Sequence, residues 1–268
     1  MKNHPAAVKR ELTRKTVLQL VKVTRPTASV PPARPATAGF PVIAMAASVG
    51  GLDALSVILG GLPANFPAAI AIVMHLSPNH KSILAEILNR RTFLQVKEAH
   101  TGDVLCPACV FVAPPNHHLF VAPGGGLKLS SSEAKKINYA RPSAEPLFVS
   151  VAAVYQQSAI AVVLTGGDGD GSFGVQIIKD HGGMVIAQDR PTSKDFSMPE
   201  TSIKTGDVDF ILPLDEIAGK LIALVGAGPG PTTGRTIAAG KVNPPAGTKT
   251  VSPRYATGTK GAMIKRRK

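Results

Sequence analysis

Short, nearly unbroken apolar runs punctuate the chain, and between them apolar residues recur at the three-to-four spacing of a helix face. The runs at residues 41–45 (PVIAM), 69–74 (AIAIVM), 159–164 (AIAVVL), 184–187 and 208–212 lack the polar alternation of a half-solvated sheet. They predict strands buried on both faces. After the first run, Leu52, Leu55, Ile58, Leu59 and Leu62 fall on one helical face. After the second, Ser77-Pro78 supplies a capping residue and a proline at the first helical position; the helix expected there stacks Ile83, Leu84, Ile87 and Leu88. Further helices are predicted at 146–156, at 174–181 with a stop at Gly182-Gly183, near 199–204 and at 214–224. Residues 93–131 have a different texture, in which Pro-Pro-Asn and Gly-Gly-Gly turns separate short strands and predict a β-hairpin excursion. The alternation as a whole predicts an α/β fold: a doubly wound, mostly parallel sheet with helices on both faces and that hairpin added.

Charge and composition redraw the ends. Residues 1–40 carry eight Lys/Arg and one Glu, and Pro, Ala and Thr crowd positions 23–41, so a basic, Pro-rich, flexible extension is expected there. Residues 226–268 hold nine Lys/Arg and no acid among Gly, Pro and Thr. Such a stretch buries too little apolar surface to offset its ordering entropy, and a basic disordered tail is expected. Residues 41–225 remain as one folded domain, with 13 Lys/Arg against 16 Asp/Glu. The formal net charge of +13 is thus a property of the tails, read first as solvated and alternatively as contacting acidic surfaces, a membrane or nucleic acid, and not of a basic nucleic-acid-binding core. No run of eighteen apolar residues suggests a membrane span, and no cleavable signal follows the basic start, so a cytoplasmic location is expected.

In doubly wound sheets ligands bind outside the carboxyl ends of the strands. The residues that directly follow each run therefore carry the functional information. After 41–45 comes Ala46-Ala47-Ser48-Val49-Gly50-Gly51; after 69–74 comes His75; after 159–164 comes Thr165-Gly166-Gly167-Asp168-Gly169-Asp170-Gly171. A nucleophile, a base and a carboxylate thus meet on one rim. Ser48 on a Gly-rich strand-to-helix turn suits nucleophilic attack beside helix-start amides, although a capping serine would also fit. His75 has a ring able to accept a serine proton near neutral pH. Asp168 and Asp170 both suit the orienting carboxylate, and spacing leaves the choice open; a single loop of this kind offers too few oxygens to specify calcium. His80, His100, His117 and His118 are expected at the surface.

At these motifs the chain resembles the catalytic domain of bacterial chemotaxis protein-glutamate methylesterases. That family's pattern is a Gly-Ala-Ser-Thr/Ala-Gly-Gly turn, a strand ending in Gln-His, and Thr-Gly-x-Gly-x-Asp-Gly. Further matches are Val112-Ala113-Pro114-Pro115-Asn116-His117, Arg141-Pro142-Ser143 and Met198-Pro199. The resemblance implies Ser48 as nucleophile, His75 as base, Asp170 as the orienting carboxylate, and oxyanion-binding amides near Val49 and Gly167. It implies hydrolysis of glutamyl methyl esters on a chemoreceptor-like protein, with glutamine deamidation by the same acyl chemistry, and no cofactor or metal. Departures from the pattern are Ala46 for glycine, Val49 after the serine, Gly167 for a larger residue, and Asp168 for glycine. The family often carries a phosphorylatable receiver domain ahead of the esterase. Forty basic, Pro-rich residues cannot form one, so any such regulator is expected on a separate chain.

Two other readings compete. A non-catalytic or weakly active signalling module of the same fold would keep the domain and work through its basic tails. Cys106-Pro107-Ala108-Cys109 has the spacing of a dithiol or half a zinc site, but no second C-x-x-C exists and the pair precedes a strand, so paired surface thiols are expected. Neither a Walker lysine nor a Gly-x-Gly-x-x-Gly turn follows the first strand, which speaks against a nucleotide site.

Overall fold

The computed structural model describes residues 5–21, 39–75 and 82–226; the helix start expected at Ser77-Pro78 and the basic C-terminal tail lie outside the described residues. The apolar runs become strands: β1 (Val42–Ala47), β2 (Ala69–Met74), β3 (Gln95–Glu98), β4 (Cys109–Val112), β5 (Leu119–Val121), β6 (Leu127–Leu129), β7 (Ala159–Val163), β8 (Met184–Gln188) and β9 (Phe210–Leu212). Seven of them form one sheet in the order β3-β4-β2-β1-β7-β8-β9, every pair parallel. The chain winds outward from β1 through β2 to one edge, then returns to β7 and winds to the other. Its topological switch point lies between β1 and β7.

The helices are α1 (Pro5–Val21), α2 (Gly51–Gly60), α3 (Leu84–Asn89), α4 (Ala144–Tyr155), α5 (Ser172–Asp180), α6 (Ser197–Ile203) and α7 (Leu214–Val225). They cover both faces, because alternate residues of the buried strands face opposite layers. Val42, Ala44 and Ala46 join the layer built with Leu147, Phe148 and Val151 of α4 and Val175, Ile177 and Ile178 of α5. Ile43, Met45 and Ala47 join the opposite layer, with Leu55, Ile58 and Leu59 of α2, Leu84 and Leu88 of α3, and Ile217 and Leu221 of α7.

Three features depart from expectation. The hairpin excursion is narrower than residues 93–131: only β5 and β6 pair antiparallel, whereas β3 and β4 extend the parallel sheet. The Val110-Phe111-Val112 run explains this, since all three side chains are buried and the strand pairs Ile70–Ile72 of β2. Within the N-terminal extension, expected to be flexible throughout, Pro5–Val21 is helical. Val17 in its C-terminal half is fully buried, and Leu18 and Val21 pack beside it on the α4–α5 layer. Finally, Cys106 and Cys109 are joined as a disulfide with Cα atoms 5.5 Å apart, on the loop that leads into β4. The bridge encloses Ala108, whose φ of 59° is one that alanine rarely adopts. Among the described residues no helix is long and apolar enough to cross a membrane.

Candidate active site

The rim at the carboxyl ends of β1, β2 and β7 is built by short-range backbone constraints. Beyond Ala47 the chain turns at once, the Gly51 amide donating to the Ser48 carbonyl (2.9 Å). Gly50 makes this turn with φ +80°, and a Cβ there would lie 2.8 Å from Lys194 Cβ, so glycine is required on both counts. The Ser48 amide donates to the Thr165 carbonyl (2.9 Å), which ties the turn to the end of β7. Gly166 then passes so close to Ser48 that a side chain would meet both Ser48 Cβ (2.9 Å) and Met198 Sδ. On the other side of Ser48, the His75 amide donates to the Ala47 carbonyl (3.1 Å), continuing the β1–β2 register one step past Ala47↔Met74. Residues 48, 75 and 165–170 are therefore neighbours because three adjacent parallel strands end together.

The structure brings His75 and Asp170 into direct contact: His75 Nε2 lies 3.0 Å from Asp170 Oδ2. Asp170 is fully buried and firmly held. Its carboxylate accepts from the Ser143 hydroxyl (2.6 Å), from the Ala144 amide at the start of α4 (2.6 Å) and from Asn138 Nδ2 (3.3 Å). A second carboxylate takes the other ring nitrogen, with Asp168 Oδ2 3.1 Å from His75 Nδ1. Half a turn of the ring would present carbon to both carboxylates, so the pair fixes its orientation. Burial, the largest single influence, would lower the His75 pKa; the hydrogen bonds and charges of Asp168 and Asp170 together outweigh it and raise it to about 10. Burial likewise opposes ionisation of Asp168, yet its bond to His75 and the imidazolium charge hold its carboxyl below the usual value. The ring is thus an imidazolium donating to two carboxylates at neutral pH.

Ser48 is brought to the rim but not into this chain of contacts. No hydrogen bond joins its hydroxyl to His75, both of whose nitrogens are engaged. The amides of Val49 and Gly167 donate to no other described residue, and a Cβ at Gly167 would touch Val49 Cγ2 at 3.9 Å. Thr165 braces them, its hydroxyl within reach of the Val49 carbonyl (2.8 Å) and the Asp195 carbonyl (3.1 Å).

Behind Asp170 lie groups that the sequence did not single out for this role. Glu145, fully buried, accepts from the amides of Gly171 (3.0 Å), Phe173 (3.2 Å) and Gly174 (2.5 Å) at the start of α5. Burial and then the Asp170 charge push its carboxyl up to about 8, against those three amides. His118, expected at the surface, is fully buried. Its Nε2–H donates to the Lys135 carbonyl (3.0 Å) and its Nδ1 accepts from the Ser143 amide (3.2 Å), which fixes a neutral tautomer; burial lowers its pKa. His100 is exposed and His117 half-buried, its Nδ1 2.7 Å from the Ser130 carbonyl. Ser143 was visible only as part of a motif; its position just before a helix is a readable capping signal, and its side chain does accept from the Glu145 amide (3.3 Å). A cavity of about 190 Å³ opens against His75 and Asp168, with Lys136, Asn138 and Arg141 on its wall. Arg141 is oriented by Asn116 Oδ1, to which its Nε donates at 2.9 Å.

Comparison with known proteins fits this arrangement. Residues 43–221 match the CheB methylesterase family. A protein-glutamate methylesterase/protein-glutamine glutaminase of Anaeromyxobacter dehalogenans is 41% identical over 176 residues, 66% of this chain and 51% of that protein. Its namesake from Thermotoga maritima is 37% identical over 212 residues, 79% of this chain and 60% of that protein. The chain thus spans between half and three-fifths of the length of these relatives. The crystal structure of the Thermotoga maritima CheB methylesterase catalytic domain superposes with a TM-score of 0.67 at 37% identity, covering 70% of this chain and all of that one. A family match over most of the folded residues, on the same sheet and with the strand-end motifs in order, has one reading: the chain belongs to the CheB methylesterase family.

Proposed function

We infer that the chain hydrolyses glutamyl methyl esters on a chemoreceptor-like protein, with Ser48 as nucleophile, His75 as general base and Asp170 as the carboxylate that orients it. The observation that carries this reading is the 3.0 Å contact between His75 and the buried Asp170 on the rim where the Ser48 turn ends. Once His75 has lost a ring proton and is neutral, Ser48 Oγ attacks the ester carbonyl while its proton passes to the freed ring nitrogen. The tetrahedral oxyanion is held by the Val49 and Gly167 amides, and the proton then leaves with the methoxide as methanol. Water, deprotonated by the same imidazole, cleaves the acyl-enzyme and restores Ser48. A side-chain amide of glutamine would follow the same course with ammonia leaving. Lys136 and Arg141 make the cavity beside His75 suited to a substrate segment rich in carboxylates. The reaction belongs in the cytoplasm.

A fluorophosphonate probe should label Ser48, and Ser48→Ala should lose labelling and release methanol from methylated receptor peptides roughly 10⁴-fold more slowly. A second reading, that of a weakly active or inactive signalling module, is favoured by one observation: both nitrogens of His75 are bonded to carboxylates and none to Ser48. Wild-type protein as inert as Ser48→Ala towards both probe and peptide would decide for that module.

A further inference from the structure

Asp168 stands where the family pattern has glycine, and its carboxylate occupies the one ring nitrogen of His75 that Asp170 leaves over (Nδ1 to Oδ2, 3.1 Å). The two carboxylates are not equivalent. Asp170 is fully buried and accepts from Ser143, Ala144 and Asn138. Asp168 has a side chain 38% exposed; among the described residues its other carboxylate oxygen accepts only from the Asp170 amide (3.2 Å), and it borders the open cavity. A base pinned between two carboxylates has no lone pair with which to take the Ser48 proton. Only Nδ1 can be freed without dismantling a buried network.

On the reading of the site given above, we propose that Asp168 is a positioning residue that latches His75 in an inactive orientation, and that the base becomes available to Ser48 through Nδ1 only when Asp168 lets go. Release requires a group that pairs with Asp168 in place of the imidazolium, and Lys136 lines the same cavity as a cation that could serve. A substrate segment bearing a basic side chain next to its methylated glutamate would do the same from outside. Among the described residues, the other charged or titratable groups around the ring are Asp170 beside it, Glu145 and His118 behind Asp170, Tyr139 on the cavity wall, and Asp195, which acts on Asp168 from the loop after β8. None of these but Asp170 reaches the imidazole, so the release of Nδ1 turns on Asp168.

The test follows the His75 ring by NMR in the full-length protein, with its resonance assigned by loss in His75→Gln, across pH 5 to 10.5. Wild type should keep the ring protonated well past neutrality. Asp168→Asn and Asp168→Gly should bring its titration down by about one to three pH units, and Asp168→Glu should restore it. In parallel, the acid limb of kcat/KM on a methylated peptide should move down with the ring in Asn and Gly variants, raising activity at pH 7. A His75 titration unchanged in both variants overturns the latch, whatever the activity. A ring that shifts as expected in a protein with no esterase activity supports the latch and removes the hydrolase reading instead, so the two fail separately.

Discussion

A histidine held between two carboxylates links the chemistry of the site to the stability of the fold. The His75 value of about 10 lies above its ordinary 6.5, so its pairing with Asp168 and Asp170 stabilises the folded state fully below about pH 6.5 and is lost as pH rises towards 10. Glu145 acts in the same sense. Its carboxyl is raised from 4.5 to about 8, the folded state keeps a proton that the unfolded chain releases, and stability falls as pH climbs through that range. The melting temperature should therefore drop steadily between pH 6.5 and 10, and calorimetry across that window should find a shallower drop in Asp168→Asn. A flat profile in the wild type would mean that the clamp is not made in solution. Ser48 and His75 stood out as residues because each closely follows an apolar run, whereas Asp170 was set apart from Asp168 only by the family resemblance. The partners that define their state were not legible. Asp168 looked only like a rival to Asp170, since nothing in Gly-Asp-Gly-Asp-Gly says that both aspartates will face one imidazole. Ser143 and Glu145 reach Asp170 and the start of α5 across more than twenty residues of sequence, and local pattern carries no sign of such contacts.

Helices show the same division between what is local and what is not. Those that alternate with strands were readable from periodicity, most with bounds a few residues from the expected ones at caps where side chains such as Ser143 decide the first turn. The exception is α3, expected to open at Ser77-Pro78, which begins only at Leu84 and leaves Ile83 exposed. The N-terminal helix α1 was not readable. Its apolar stripe is short, and its stability comes from what it docks against. Val17 is buried, Arg14 Nη2 donates to Gln176 Oε1 (3.0 Å), and the Arg14 guanidinium lies 5.0 Å from the centre of the Phe173 ring. Thr13 Oγ1 donates to Asn138 Oδ1 (3.3 Å), and Asn138 in turn donates to Asp170, so α1 is two hydrogen bonds from the carboxylate behind His75. Burial of one valine stabilises by roughly 1.5–3 kcal/mol, enough to decide whether a single amphipathic helix docks. Val17→Asp should release α1: hydrogen exchange in Pro5–Val21 should rise to that of a free peptide while β1, β2 and β7 stay protected. Exchange unchanged in α1 would mean that its helix is held by something other than this contact.

On the scale of the whole molecule, the sequence gives the class of the sheet but not its order. Alternation of buried strands and helices implies parallel winding, yet only tertiary pairing places β7 beside β1 and so puts the switch point, and the site, between them. Charge follows a similar logic. Nine of the 30 Lys/Arg and none of the 17 Asp/Glu lie beyond Gly226, so without those residues the remainder carries only +4. None of the rim residues 48, 75 or 165–170 belongs to that segment. Attraction to polyanions should therefore be separable from the chemistry of the site, because a like-signed run acts through summed, salt-screened potential and not through a shaped contact. Deleting residues 227–268 should leave the melting temperature and kcat/KM on a short methylated peptide unchanged, while elution from a heparin column moves to clearly lower salt. Should turnover of a whole methylated receptor fall in the same deletion while the short peptide is cleaved as before, the basic tail acts in bringing the substrate to the site. Equal loss on both substrates would place the tail's role at the rim itself.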